Sequence, residues 1–303
     1  MADYTSLLRD IRRLCPDMEI LENESMARHC SFRIGGPCTA MVSPGSVEEI
    51  ETLCRLLRQV GEEPLLIGKG TNLLVSDAPL ELIVLRMGER FAAIREKDEL
   101  TFTAESGVSL AQLATTAASR SLGGLEFAHG IPGSLGGAVS MNAGAYGGEM
   151  KDVVTSITWL DENLLLRQEA DGGFSYRHSR FSDTKDVILT ADIRLSPDSE
   201  ETIRGRMRTL MEKRKASQPL DLPSAGSTFK RPASGFAAAM IDEAGLKGFA
   251  IGGAQVSPKH AGFVVNTGSA TCEDVRRLMA HIQETVYKAT GILLEPEVKF
   301  IEG

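Results

Sequence analysis

The sequence predicts an α+β fold. Helical and strand-like apolar spacings follow one another along the 303 residues without the regular βαβ alternation of a parallel sheet. Two glycine-rich stretches, residues 68–72 and 130–147, lie among these segments. There is no internal repeat and no low-complexity stretch.

Leu7, Leu8, Ile11 and Leu14 have helical spacing and predict a short amphipathic helix at the start. Ser46 with Glu49 three residues on forms a capping-box pattern. The helix that follows turns Val47, Ile50, Leu53, Cys54 and Leu57 inward and stops at Gly61. Residues 64–67, 73–75, 81–87 and 100–105 are expected strands, with a tight loop at 68–72. Ser109–Ser121 is a second helix, ended by Gly123-Gly124. Strands at 153–160 and 187–195 bracket a hairpin region that turns at Asp161-Glu162-Asn163. Residues 200–216 form a helix dense in Arg and Lys, and a domain boundary is expected near its start. Beyond it come a Pro/Ser/Gly loop (217–235), a short helix ended by Gly245, and strands around 249–256 and 261–266. A last helix begins near Thr271 with Val275, Leu278, Met279, Ile282 and Val286 inward, and a strand over 292–301 closes the chain.

Composition is that of a globular protein, 42% hydrophobic and 24% charged, with chain enough for two domains. A formal charge of −8 argues against a nucleic-acid binder but not against anionic small ligands, which need only local donors. The five cysteines form no CxxC pair and read as reduced, idle thiols, with no metal site expected. The first residues lack the apolar core and cleavage site of a secretory signal. No apolar run approaches the ~20 residues of a membrane helix. A soluble, cytoplasmic protein is therefore expected.

Gly68-Lys69-Gly70-Thr71-Asn72 offers successive backbone N–H groups that can line an anion-binding concavity. It is neither a Walker loop nor a Rossmann fingerprint. Alone it reads more readily as a plain tight turn. The second stretch, GIPGSLGGAVSMNAGAYG over 130–147, is nearly all small residues. It lets backbone approach something bulky, although a close-packed crossover would have the same composition. Two such loops some 60 residues apart favour a large phosphorylated cofactor with its diphosphate between them.

The loop pair resembles that of the FAD-binding fold shared by vanillyl-alcohol oxidase and its relatives. Within that group the chain resembles the UDP-N-acetylenolpyruvoylglucosamine reductase family from about His29 to Phe300. The resemblance is carried by Ser31-Phe32-Arg33-Ile34-Gly35-Gly36, Tyr176-Arg177-His178-Ser179, Ala225-Gly226-Ser227-Thr228-Phe229-Lys230, Gly245-Leu246-Lys247-Gly248 and Leu294-Glu295-Pro296-Glu297-Val298. It implies a two-subdomain FAD-binding domain over residues 1–198 (about 1–80 and 81–198) and a smaller α+β substrate-binding domain over 199–303. Cofactor contacts are implied at Gly68, Lys69, Gly70, Thr71, Asn72 and Leu73. Further contacts are implied at Gly130, Ile131, Pro132, Gly133, Ser134, Gly136, Gly137, Asn142 and Gly144. Oxidases of this fold often tether flavin through a histidine in the first loop. None stands here, so non-covalent FAD is expected.

The reaction implied is the passage of hydride from NADPH to flavin and then to the enolpyruvyl ether of a UDP-sugar, for peptidoglycan precursor synthesis. Hydride addition leaves carbanion character beside a carboxylate, which calls for charge stabilisation and a proton donor. Ser227 matches the family's proton donor, although a serine after glycine in such a loop is ordinarily a turn hydroxyl. Arg177 matches the arginine that supports the enediolate, and its planar guanidinium suits a carboxylate. Its plainer reading is a surface ion pair. Glu295 and Glu297 share a face under strand alternation, so periodicity leaves both open; the resemblance favours Glu297. Lys215 matches a lysine near the nucleotide diphosphate, against the plainer reading of a solvated helix face. Tyr176, Gly226, Lys230 and His260 complete the expected substrate contacts, although a lone histidine such as His260 is more often structural.

The chain departs from the family pattern at Cys30 and Cys38, where relatives often have Thr and Ala. Arg231 stands where some have Asn, so that contact is not carried over. No tyrosine occurs between Arg177 and Ser227, which matches the shorter subtype without the substrate-covering loop. Rival readings are another flavin oxidase or dehydrogenase on the same fold, or a non-catalytic nucleotide-binding protein. The expected form is a monomer without nucleic-acid or membrane partners.

Overall fold

A computed structural model describes residues 4–302. The outermost residues of the two expected domains, 1–3 and 303, lie outside the described residues. The chain divides into two interleaved units. The first comprises Met1–Glu22, Ala40–Lys69 and Leu82–Glu212, the second Asn23–Thr39, Gly70–Glu81 and Lys213–Gly303. This partition differs from uninterrupted spans of 1–198 and 199–303, because two short segments from the first 81 residues belong to the second unit. Helices and strands mix without a βαβ repeat, as the spacing predicts.

In the first unit, α1 (Tyr4–Leu14) buries Leu7, Leu8 and Ile11, and α2 (Val47–Gln59) buries Ile50, Leu53, Cys54 and Leu57. Ser46 caps α2 by accepting from Glu49 N at 3.2 Å. The expected reciprocal bond is replaced: Glu49 Oε2 accepts from Gly45 N instead, so the capping box is half formed. Both helices pack in one apolar cluster with Ala40, Val42, Ile83, Leu85 and Leu189. Leu65–Ile67 runs parallel to Leu80–Arg86 in a four-stranded sheet completed by Pro37–Ser43 and Glu19–Ser25.

A five-stranded antiparallel sheet carries the rest of that unit, in the order Leu166–Glu169, Val154–Leu160, Val187–Arg194, Thr101–Glu105, Ile94–Asp98. The turn at 161–163 joins the first two of these, as expected. Its core includes Phe102, Trp159 and Ile193 with the inner face of α3 (Leu110–Ser119), whose N-cap Ser109 accepts from Gln112 N. The stretch 130–147 is not all loop, since Leu135–Ser140 forms a short helix, α4. Then α5 (Glu200–Ser217) buries Ile203 and Met207.

The second unit packs α6 (Ala237–Glu243) and α7 (Cys272–Thr290) with Phe32, Leu74, Val256 and Val264. Thr271 and Asp274 form a full capping box on α7, and all five residues expected inward are buried. A small antiparallel sheet joins Ala250–Ile251, Ala254–Val256 and Val264–Asn266. The closing strand is much shorter than expected. Only Lys299–Ile301 is strand, parallel to Leu73–Val75. Residues 292–298 are irregular except for a bridge between Pro296 and Phe229. No described helix is long and apolar enough to cross a membrane.

The α1–α2 cluster sets the stability of its unit, and Leu53 is fully buried in it. Leu53→Ala should cost about 2–5 kcal/mol from lost burial and the cavity left behind. Leu166, 62% exposed, is the control; Leu166→Ala should shift stability by less than about 0.5 kcal/mol. Denaturant titration followed by circular dichroism measures both, and equal midpoints would contradict this packing.

Candidate functional site

In the first unit the 130–147 stretch is held by main-chain bonds. Leu135 N donates to Val108 O (2.8 Å), Gly136 N to Ser106 O (2.8 Å) and Leu110 N to Gly133 O (3.1 Å). The loop touches the end of the other glycine loop directly, because a Cβ on Gly68 would stand 2.0 Å from Ser134 Oγ. Ser134 is buried and stands at the N-cap of α4, yet it makes no capping bond. Gly133 and Gly137 have ordinary backbone conformations, and a Cβ on either would meet nothing closer than 3.8 Å. The chain itself therefore does not demand glycine at those two positions. A bulky group lying against the loop would demand it, so the residues fit a cofactor that packs on bare backbone.

The Tyr176-Arg177 turn is tied to this loop. Asn142, 1% exposed, donates from Nδ2 to Ser175 O (2.9 Å) and Glu149 Oε2 (2.5 Å) and accepts from Lys151 N (3.0 Å). Arg177 donates from Nη1 to Gly144 O at 3.3 Å. Its backbone is left-handed, φ 53°, a conformation a bulky L residue keeps only when its surroundings fix it. Tyr176 is exposed, with its ring 5.7 Å from the Arg177 guanidinium carbon.

The second unit contains the rest of the expected residues except Gly68 and Lys69. Gly70 is required by the chain itself: its φ is +60°, and a Cβ there would lie 2.1 Å from His29 O. Thr71 and Leu73 are half-buried. Asn72 grips the closing segment. It donates from Nδ2 to Glu297 O (3.0 Å), and its own carbonyl accepts from Lys299 N (2.9 Å).

The Ser227 segment runs antiparallel to the Glu297 segment. Glu297 N donates to Thr228 O (2.9 Å) and Lys230 N to Glu295 O (2.8 Å). Pro296 takes the intervening place opposite Phe229, where no N–H is needed. Thr228 is buried and fixed from its other side: its N–H donates to Gly262 O (2.8 Å) and its Oγ1 accepts from Val264 N (3.0 Å). Among the described residues the half-buried Ser227 hydroxyl has no hydrogen-bond partner. Alternation left two glutamates open, and their surroundings separate them. Glu295 is exposed and ion-paired with Lys230, whereas Glu297 is half-buried.

His260 Nδ1 accepts from Gly262 N at 3.1 Å, which leaves Nε2 as the nitrogen that carries the proton. Burial holds its pKa below the usual histidine range. Its own backbone bond opposes that shift, and Lys247 adds to it. A neutral ring at pH 7 follows. Lys215 is exposed near the end of α5, and its carbonyl accepts from Lys259 Nζ at 2.5 Å. Arg231 stacks on Phe236, 4.1 Å from the ring centroid. All five cysteines are buried, and burial raises Cys54 and Cys272 to about 11, far from reactive thiolates. Among the described residues no cluster of His, Cys, Asp and Glu could hold a metal.

Sequence reasoning passed over Ser31, Ser106 and Glu149. Ser31 Oγ donates to Ser224 O (2.6 Å) and anchors the loop before Ser227. Ser31 begins the Ser31–Gly36 motif, the signal that could find it. Ser106 backs the 130–147 loop, and Glu149 orients Asn142; neither has a local signature.

Comparison with known proteins agrees with this arrangement. A family model described as the UDP-N-acetylenolpyruvoylglucosamine reductase C-terminal domain matches residues 218–301, and an FAD binding domain model matches 38–163. The chain is 44% identical over 297 residues to the UDP-N-acetylenolpyruvoylglucosamine reductase of Caldanaerobacter subterraneus, covering 97% of this chain and 98% of that one. It is 45% identical over 288 residues to the enzyme of Syntrophomonas wolfei, covering 94% and 96%. The crystal structure of the Thermus caldophilus enzyme superposes with a TM-score of 0.80 at 30% identity, over 94% of this chain and 99% of that one. A variant of berberine bridge enzyme shares the fold alone, with a TM-score of 0.51 at 18% identity over 64% of this chain and 44% of its own. The relatives match along nearly their whole length and the two domain models stand in order, so the chain belongs to the UDP-N-acetylenolpyruvoylglucosamine reductase family.

Proposed function

We propose that this protein reduces UDP-N-acetylglucosamine enolpyruvate to UDP-N-acetylmuramate, with NADPH as hydride donor and non-covalent FAD as carrier. It would do so as a cytoplasmic monomer supplying peptidoglycan synthesis. FAD is assigned to the fold of residues 1–198 and the UDP-sugar to residues 199–303. The observation that carries the reading is the pair of glycines, Gly133 and Gly137, that the chain does not itself require. They lie in a loop whose FAD-binding family model spans residues 38–163.

Bound FAD supplies the hydride that goes to the vinyl ether carbon of the substrate. The chain then has two tasks. Arg177 pairs its N–H donors with the substrate carboxylate and so stabilises the enediolate charge. Ser227 donates its hydroxyl proton to the neighbouring carbon and regains one from solvent. A serine needs no depressed pKa for this, because the acceptor is a strong base. Its lack of a hydrogen-bond partner among the described residues supports the role. Glu297 is the third catalytic group, and its half-buried place beside the Ser227 segment distinguishes it from Glu295, which is committed to Lys230. Lys215 takes the nucleotide diphosphate. Tyr176, Gly226, Lys230 and neutral His260 hold the rest of the substrate. The first loop (68–73) and, in the second, residues 130–137 and Gly144 hold the cofactor without a covalent bond.

Three measurements test this reading. Purified protein should be yellow, and acid precipitation should leave free FAD in the supernatant; flavin retained in the pellet would contradict the non-covalent assignment. Ser227→Ala should be bleached by NADPH at a near-parental rate in stopped flow. Its reoxidation by the UDP-sugar should fall by about 10²–10⁴-fold, the usual cost of a lost general acid. If the variant reoxidises like the parent, Ser227 is a loop hydroxyl only. Lys215→Ala should raise the apparent KM roughly tenfold through loss of a charge-assisted contact. Unchanged kinetics would return Lys215 to the solvated face of α5.

A further inference from the structure

We propose that Asn142 is a positioning residue for Arg177, its amide fixing the 175–178 turn and with it the direction of the guanidinium. The inference rests on the reading of Arg177 as the partner of the substrate carboxylate. The family resemblance implies a cofactor contact at Asn142, but both hydrogens of its amide are spent within the chain. One goes to the Ser175 carbonyl and the other to the Glu149 carboxylate. The orientation of the amide is unambiguous. A carboxylate only accepts, so Nδ2 must face Glu149, and Lys151 N–H must be met by Oδ1. Glu149 is in turn held by Lys151 Nζ at 2.5 Å.

Two left-handed residues make this clamp necessary. Asn142 has φ 44° and Arg177 φ 53°. Asparagine tolerates that region, whereas arginine adopts it at a cost that its surroundings must offset. The turn closes on itself through Ser175 N to His178 O (2.9 Å) and the long return bond from His178 N to Ser175 O (3.3 Å). Asn142 adds a shorter bond, 2.9 Å, to that same Ser175 carbonyl. Downstream, Ser179 Oγ donates to Ser140 O (2.7 Å) at the end of α4. The Arg177 guanidinium meets Gly144 O, two residues after Asn142. Backbone and head group of Arg177 are thus both referred to residues 140–144. A shift of about 1 Å in such a group costs on the order of 10²-fold in rate.

The test is a double-mutant cycle on the holoenzyme, read by stopped-flow flavin absorbance. Asn142→Gly keeps the left-handed backbone and removes only the amide. NADPH should still bleach it within a factor of about three, while reoxidation by the UDP-sugar slows roughly tenfold or more, as expected of a misdirected group. In an Arg177→Lys background the same change should add almost nothing, because both act through one side chain. Parental reoxidation in the single variant, or effects that multiply in the double, would overturn the proposal. If Arg177→Lys alone reoxidises normally, it is the assignment of Arg177 that falls. Asn142→Asp keeps the Oδ1 acceptor and the backbone, and serves if the glycine variant is colourless. Loss of flavin from both would make Asn142 part of the cofactor scaffold and overturn the positioning role.

Discussion

Three main-chain bonds between residues 106–110 and residues 133–136 are the constraint on which the first unit's candidate site depends. A stretch built of glycine, alanine and serine has few side chains with which to hold its own shape, so its conformation must come from the backbone. Ser106 N donates to Leu189 O in the five-stranded sheet, and Ser106 O and Val108 O receive Gly136 and Leu135. The order runs outward from there: sheet, 106–110 segment, bare loop, Asn142, and the turn that carries Arg177. Each step is a hydrogen bond to backbone, and Leu135 and Val139 add their buried side chains to the core beneath the loop.

The second unit solves the same problem by other means. Ser227 sits in a segment pinned on both sides, by Gly262 and Val264 along one edge and by residues 295–297 along the other. Asn72, from the first glycine loop, holds the carbonyl of Glu297. Each glycine loop thus contributes one asparagine whose amide grips the backbone next to a proposed catalytic residue. An amide suits this task because it donates and accepts without a charge that would have to be neutralised on burial.

Elements with caps and an amphipathic face were legible in the sequence. Ser46, Ser109 and Thr271 mark real N-caps, and every inward residue of α7 is buried. Glu19–Ser25 and Ile94–Asp98, which escaped, are strands with no fully buried residue at the edges of their sheets, and their polar sequences carry no alternation. Pro37–Ser43 escaped as well, although it is internal to its sheet and mostly buried. The closing segment has strand-like residues, but its partners are loop backbones, and only Lys299–Ile301 meets a strand. Interleaving of the units was hidden because it depends on long-range contacts. In the site, the glycine loops and the Ser227 motif were visible, whereas the Asn142–Glu149 pair was not. Seven residues of sequence separation on an irregular path leave no periodic trace.

Charge distribution completes the account. A chain of net −8 that receives a diphosphate cofactor, a diphosphate substrate and a carboxylate must attract them locally. Many of its cations are already paired within the chain: Lys97 lies 2.6 Å from Asp192 and Arg206 2.5 Å from Glu126. Of four exposed lysines without a carboxylate partner among the described residues, Lys213 and Lys259 included, Lys69 and Lys215 stand out by their place. They fall at the first glycine loop and at the end of α5, the two places to which the anionic groups are assigned. Paired cations fix the scaffold, and Lys69 and Lys215, with the bare backbone of the loops, are left to meet phosphate.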